Sequence, residues 1–326
     1  MKLSNLIIVF FILTLPVFFF LNAKAENTNT FMELNHAHEG AMTVAAQDAV
    51  EVLRTNVVPK LEVGYYSYKI NPADPQKSFD TFLQTLALNY RVNDAVTADV
   101  MSRYVPVYAV VDYDGLLLNV YKQYTDITGQ KVLDRVWLPK IPFSYTDDEG
   151  NVVNFTIDQD LEVYDAALNE WFYGKRYELL GDVTVPILED EETFDQVRRT
   201  TIVNTLQDNL AYYINEHNVY TKSLDVTYTF TMHLIPEEDW YNTVDNVSIL
   251  AFFQGYPYRM ADEEYQEYAF VGTRLNKKDT IKAGMVDGQR KYWYASCEYP
   301  YQATELYSTK KQAAAAGYSE LSCLNP

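Results

Sequence analysis

Residues 105–124 read VPVYAVVDYDGLLLNVYKQY: an apolar, β-branched run from Val105 to Tyr113, an Asp114-Gly115 pair, and a second apolar run from Leu116 to Tyr124. Two such runs about an Asp-Gly pair predict a β-hairpin, because Asp and Gly accept the backbone angles of a tight turn. A second hairpin is predicted from Phe143–Thr146, the Asp147-Asp148-Glu149-Gly150 turn and Val152–Ile157. Val226–Leu234 alternates apolar and polar residues as a half-exposed strand, and Tyr265–Leu275 is another candidate strand. Between these lie two helical patterns. Ser78, Phe79, Phe82, Leu83, Leu86 and Tyr90 follow the turn cluster Asn71–Pro75 at helical spacing. From Glu191 to His217, Phe194, Val197, Val203, Leu206, Leu210 and Tyr213 or Ile214 share one face, with Glu189, Asp190, Glu191 and Glu192 crowding the start and His217 at the finish, as the helix dipole favours. Helices interrupting hairpins without a regular βαβ rhythm predict an α+β fold.

The amino terminus bears on compartment. Lys2 precedes Leu6–Leu21, sixteen residues without a charge. The run is read as a membrane anchor over residues 4–21 that leaves the bulk of the chain extracytoplasmic. The alternative is a signal segment cleaved before Glu26, since Ala23-Lys24-Ala25 is a small-x-small triplet, and the product would be secreted. Phe31, Leu34, His38, Ala41, Ala45, Ala49 and Val52 then recur at steps of three and four, an amphipathic helix ended by Pro59. Ala41, Ala45 and Ala49 form a strip of small residues that admits close backbone approach, either to the chain's own domain or to a partner helix.

Charge removes one class of function. With 45 acidic against 26 basic residues and a net charge of −19, the chain lacks the basic footprint that nucleic-acid binding needs. Its 28 tyrosines suit half-buried sheets and contact surfaces, where a ring packs and its hydroxyl finds water or a partner.

Motifs of catalysis are missing: there is no Gly-x-Ser-x-Gly, no His-Glu-x-x-His and no phosphate-binding glycine loop. His36 and His38 stand two apart on a helix, point in different directions and are read as a solvated surface rather than a metal site. His217 is explained by its place at a helix end, and His233 by the polar face of its strand. Asp112-Tyr113-Asp114-Gly115 opens like a calcium loop but lacks the later ligands, so it is read as a turn. No catalytic, cofactor or metal residue is assigned. A carboxylate pair among so many acids is the one route to a hydrolase. Cys297 and Cys323, both near the carboxyl end and beyond the apolar segment, are expected to pair as a disulfide.

Two resemblances add to this. Tyr292-Trp293-Tyr294-Ala295-Ser296-Cys297, then Ala313-Ala314-Ala315-Ala316-Gly317-Tyr318 and Cys323, resemble a Cys/His module that ends several bacterial extracytoplasmic proteins. Trp293 stands at its His position and Glu320 at the first Cys of its closing Cys-x-x-Cys pair, so the resemblance implies a degenerate, disulfide-stapled form without zinc. The apolar start, the Asp48-Ala49-Val50 helix, Trp240–Val244 and Ile249–Gly255 resemble large single-pass proteins of Gram-positive bacteria associated with tight-adherence (Tad)-like, type IV-related pilus machinery. That resemblance implies an accessory, pseudopilin-like subunit of a surface pilus or secretion apparatus. The apolar run carries no internal Glu, which disfavours a self-polymerising pilin. The expected order is a membrane anchor or signal segment over 1–25, an amphipathic juxtamembrane helix over 26–58, an α+β extracytoplasmic domain over 59–289 and a Cys module over 290–326. Its expected partners are the membrane and other subunits of the assembly.

Overall fold

A computed structural model describes residues 3–55, 74–92, 100–222, 244–254, 258–260, 263–265, 268–275, 281–286, 288–294, 297, 299–307 and 310–321. Pro59, Cys323, His233 and the predicted strand Val226–Leu234 lie outside the described residues.

The predicted hairpin is the centre of the sheet. β1 (Val107–Val111) and β2 (Gly115–Thr125) run antiparallel, Val107 opposite Val120 and Val111 opposite Leu116. The turn is made by Tyr113 and Asp114, closed by the Asp112 N–H donating to the Gly115 carbonyl at 2.8 Å, so Gly115 already belongs to β2. Glycine is required there by close approach, since a Cβ would lie 2.7 Å from the Ile141 carbonyl oxygen.

β3 (Lys131–Trp137) and β4 (Ile141–Thr146) both pair with β2, and β5 (Val152–Phe155), β6 (Asp160–Asp165) and β7 (Glu170–Lys175) follow as successive hairpins. The second predicted hairpin is β4–β5, with Phe143 opposite Phe155 and Asp147 holding the turn. On the other side of β1 stands β8 (Ser248–Gln254); after the small β9 (Tyr258–Met260)–β10 (Glu263–Tyr265) hairpin, β11 (Tyr268–Arg274) pairs with β8. The order β11-β8-β1-β2-β4-β5-β6-β7, with β3 also on β2, makes a nine-stranded antiparallel sheet. Every residue of β1 and β8 is buried, so these central strands are covered on both faces.

Helices supply the cover. α1 (Leu3–Thr55) packs on α2 (Pro75–Asn89), β8 and β11 through Met42, Ala45, Ala46, Ala49, Val50 and Leu53. α2 starts where Asp74 accepts the Gln76 and Lys77 N–H groups and Pro75 needs no donor, and it lays Phe79 and Phe82 on Tyr108 at ring distances of 5.1 and 5.3 Å. Ser78 ties the three elements, its hydroxyl donating to the Ala49 carbonyl at 2.9 Å and meeting the Tyr108 hydroxyl at 2.6 Å. After β7 comes the single turn α3 (Arg176–Leu179), then α4 (Glu191–Lys222), which extends the predicted helix by five residues and begins with Phe194 against Phe155 at 5.4 Å. By the register of the sheet, Phe155 points to the face opposite Tyr108.

Two expectations about the fold are corrected. Among the described residues no helix is long and apolar enough to cross a membrane. The apolar run Leu6–Leu21 is sixteen residues against the roughly 20 that a bilayer takes, and α1 continues from it through Lys24 and Glu26 without a break. The carboxyl-terminal segment, in turn, is organised by a β-ladder and not as a disulfide-stapled module. β12 (Ile281–Val286), β13 (Gln289–Tyr294), β14 (Glu305–Tyr307) and β15 (Ser319–Glu320) form a sheet in the order β14-β12-β13-β15, with α5 (Lys310–Ala315) between the last two. It carries two apolar clusters, one of Ile281, Ala283, Tyr292, Ala313 and Tyr318 and the other of Val286, Trp293 and Cys297. Cys297 is buried beside Trp293 and is not a free thiol, but no complete disulfide is found among the described residues, Cys323 lying outside them.

Candidate functional site

The densest chemistry lies at the tip of the β1–β2 hairpin. Lys140, just before β4, reaches back so that its Nζ is 2.8 Å from both Asp112 and Asp114. Burial works against its charge, but the two carboxylates outweigh it and push the ammonium above its ordinary range. The Asp-x-Asp pair that opens like a calcium loop is therefore occupied by a lysine. Among the described residues no group of three His, Cys, Asp or Glu side chains could hold a metal ion.

Tyr113, between those two aspartates, points the other way. Its hydroxyl oxygen lies 2.5 Å from Oδ1 of Asp158, on the turn that joins β5 to β6, and 2.6 Å from Oδ2 of Asp160, which opens β6. A phenol has one proton to donate. Both contacts are hydrogen bonds only if one carboxyl carries a proton of its own and donates it to the phenol oxygen. Asp160 is the group pushed upward: burial raises it most, the bond from Tyr113 opposes, and the Asp158 charge adds to the rise. Asp158 has a support suited to an anion, since its Oδ1 also accepts from the Asp160 N–H at 3.1 Å; the Thr156 hydroxyl, 3.0 Å from the same oxygen, shares its one proton with the Asp160 carbonyl at 2.6 Å. The cluster can hold and exchange a proton, and it clamps the hairpin tip to the next hairpin.

A second polar group sits where β3 crosses β2. The Arg135 guanidinium stacks over Tyr121 at 4.4 Å and Phe79 at 4.7 Å. It donates to Asn119 Oδ1 at 2.7 Å, to the Ser102 carbonyl at 3.0 Å and to the Val105 carbonyl, all neutral oxygens. Beside it, His217 is pushed down to about 4, first by burial and then by the Arg135 charge, against a bond to the Arg103 carbonyl. It is neutral at physiological pH, so the charge–dipole explanation of its place at a helix end does not apply.

The remaining sequence candidates are placed as follows. Ala45 and Ala49 are buried in the chain's own core, with Ala41 partly buried at its edge, so in this chain the small-residue strip seats α1 on its own domain. His36 is exposed and paired with Glu39 at 3.7 Å, in keeping with a solvated surface. His38 is not: it is buried, with Nδ1 on the Tyr90 hydroxyl and its ring 6.2 Å from Phe253, and burial lowers its pKa. Neither Tyr113 with Asp158 and Asp160 nor Arg135 is marked in the sequence, because Asp158 and Asp160 come from the β5–β6 turn region and Arg135 gathers Phe79 from α2 and carbonyls before β1 as well as its own hairpin partner Tyr121.

The amino-terminal part of α1 contrasts with all of this. Phe18, Phe19, Phe20 and Leu21 are 59, 65, 69 and 57% exposed, while the same helix is fully buried at Met42 and Ala45. Comparison of the chain with known protein families, with curated proteins and with solved structures finds no match.

Proposed function

We propose that the chain is an accessory, pseudopilin-like structural and interaction subunit of a surface pilus or secretion apparatus, acting outside the cytoplasm. The observation that carries this reading is α1: one continuous helix of 53 residues, seated on the sheet from His38 to Leu53 and carrying exposed Phe and Leu side chains at 18–21. A helix that is apolar over several consecutive residues has no polar face to give to water. Its exposed rings call for an apolar surround, which other subunits assembled at the cell membrane would supply. The sheet domain is then the part such an assembly displays.

A hydrolase gains less support. Asp158 and Asp160 are the best carboxylate pair, yet both direct an oxygen at the Tyr113 hydroxyl instead of at a place for substrate. The test is site-specific photocrosslinking in cells. A benzophenone side chain at Phe19 should give discrete adducts of higher mass, whereas one at Ile127, in the exposed β2–β3 turn, should give none. Absence of adducts from Phe19 would remove the assembly reading.

A further inference from the structure

We infer that the open edge of β7 is a docking site for an extended, basic segment of a partner protein, which adds there as a further strand; this rests on the reading of the chain as an interaction subunit. β7 ends the nine-stranded sheet, and among the described residues no strand pairs with its outer side. The direction of its backbone groups follows from the ladder. Arg176 N–H donates to the Gln159 carbonyl at 2.9 Å, and the register holds Gly174 opposite Leu161 and Tyr173 opposite Glu162. In an antiparallel pair bonded and non-bonded positions alternate, so Phe172 and Gly174 bond to β6 while Trp171, Tyr173 and Lys175 turn their backbone outward. The Lys175 N–H is taken by the Glu178 carboxylate at 3.1 Å. The peptide groups of Trp171 and Tyr173 face the open edge.

Edges that must not pair usually carry lysines, Pro, a bulge or an inward charge, and β7 has of these one lysine, Lys175, at its end. Its edge carries Trp171-Phe172-Tyr173, with Trp171, Tyr173 and the nearby Tyr177 43, 56 and 51% exposed. Main-chain pairing supplies affinity in strand addition, and side-chain neighbours select the sequence. Those neighbours are acidic and aromatic. Glu162 is the cross-strand neighbour of Tyr173, Glu170 opens the strand and Glu178 follows it, on a chain of net charge −19. The cation at the edge, Lys175, sits 5.9 Å over the Tyr177 ring. Carboxylates and aromatic faces both attract Lys and Arg, so the strand that fits is basic. A second copy of this chain would bring the same acidic border against it.

The experiment uses the full chain and three fluorescent peptides: alternating Lys and Val, the same sequence N-methylated at every second residue, and alternating Glu and Val. The Lys-Val peptide should bind about tenfold or more tightly than either of the others. Tyr173→Pro should abolish that difference, because it removes an outward N–H that the β6 ladder does not use. In the unsubstituted protein the same peptide should slow hydrogen exchange at the Trp171 and Tyr173 amides, which decides the matter even if Tyr173→Pro does not fold. Equal binding of the methylated peptide, or unslowed exchange at both amides, would reduce the effect to general attraction for a negative protein and overturn the proposal. Either result leaves the Phe19 crosslinks untouched, so loss of this site and loss of the assembly reading are separable.

Discussion

Asp160 and His217 make opposite contributions to how stability varies with pH. Asp160 is raised in the fold above its ordinary value of 3.8, so the folded chain binds its proton more tightly than the unfolded chain does. Its contribution is complete below about pH 4 and is lost as pH rises through the folded value. Asp160→Asn keeps a donor for the phenol oxygen without the proton equilibrium. The melting temperature of this variant, relative to the parent, should therefore climb as pH increases from about 4 towards neutrality. A constant difference across that range would show that Asp160 is ionised throughout. His217 works in reverse: it is held neutral in the fold down to about 4, against an ordinary 6.5. The stability it allows is present above about pH 6.5 and is lost as pH falls towards 4. His217→Phe should flatten the acid side of the stability curve between those values, read from denaturant midpoints at several pH values. If parent and variant lose stability in parallel, His217 is not the acid-sensitive group.

Elements were legible in the sequence where a pattern was local and hidden where it depended on partners far along the chain. The β1–β2 and β4–β5 hairpins and α4 were all readable, because alternation, turn residues and a helical face each lie within one short stretch. The turn centre was displaced by one residue, since the need for glycine at 115 comes from Ile141 in another strand. β7 is not legible in the sequence, because Trp171-Phe172-Tyr173 sets three aromatic residues in a row and offers no apolar–polar alternation to read. His38 carries two conflicting signals: its place on the stripe with Ala41, Ala45 and Ala49 points inward, as the fold has it, whereas the solvated-surface reading follows only its spacing from His36, and nothing near it in sequence names Tyr90 or Phe253. The small-residue strip shows what such a pattern can and cannot tell: it predicted close approach, and only the fold says to what. Ala45 is buried without remainder where α1 meets its own domain. Ala45→Trp should accordingly lower the chain's stability by about 1–3 kcal/mol through overpacking, measured by chemical unfolding. An unchanged unfolding midpoint would mean that α1 lifts from the domain in solution.

At the scale of the whole molecule, α1 divides the consequences of substitution. Phe19 lies nineteen residues before His38 on one unbroken helix, about 28 Å along its axis at 1.5 Å per residue. A charge placed at that distance from the buried face touches no core side chain, and Phe19 is already 65% exposed. Phe19→Glu should leave the thermal unfolding of the sheet domain within experimental error of the parent. It should nevertheless remove assembly, because burying a carboxylate among apolar neighbours costs several kcal/mol unless it is paired. Met42→Glu is the matched control, placing the same charge on the same helix where the side chain is 0% exposed. It should lower the melting temperature sharply and lose assembly only as a consequence. Measured together, by melting curves and by recovery of the photocrosslinked species, the two variants separate docking from folding. If Phe19→Glu melts early, the amino-terminal part of α1 belongs to the domain's own stability. If it melts normally and still assembles, the exposed rings are not the contact, and α1 cannot be the element that joins this chain to its neighbours.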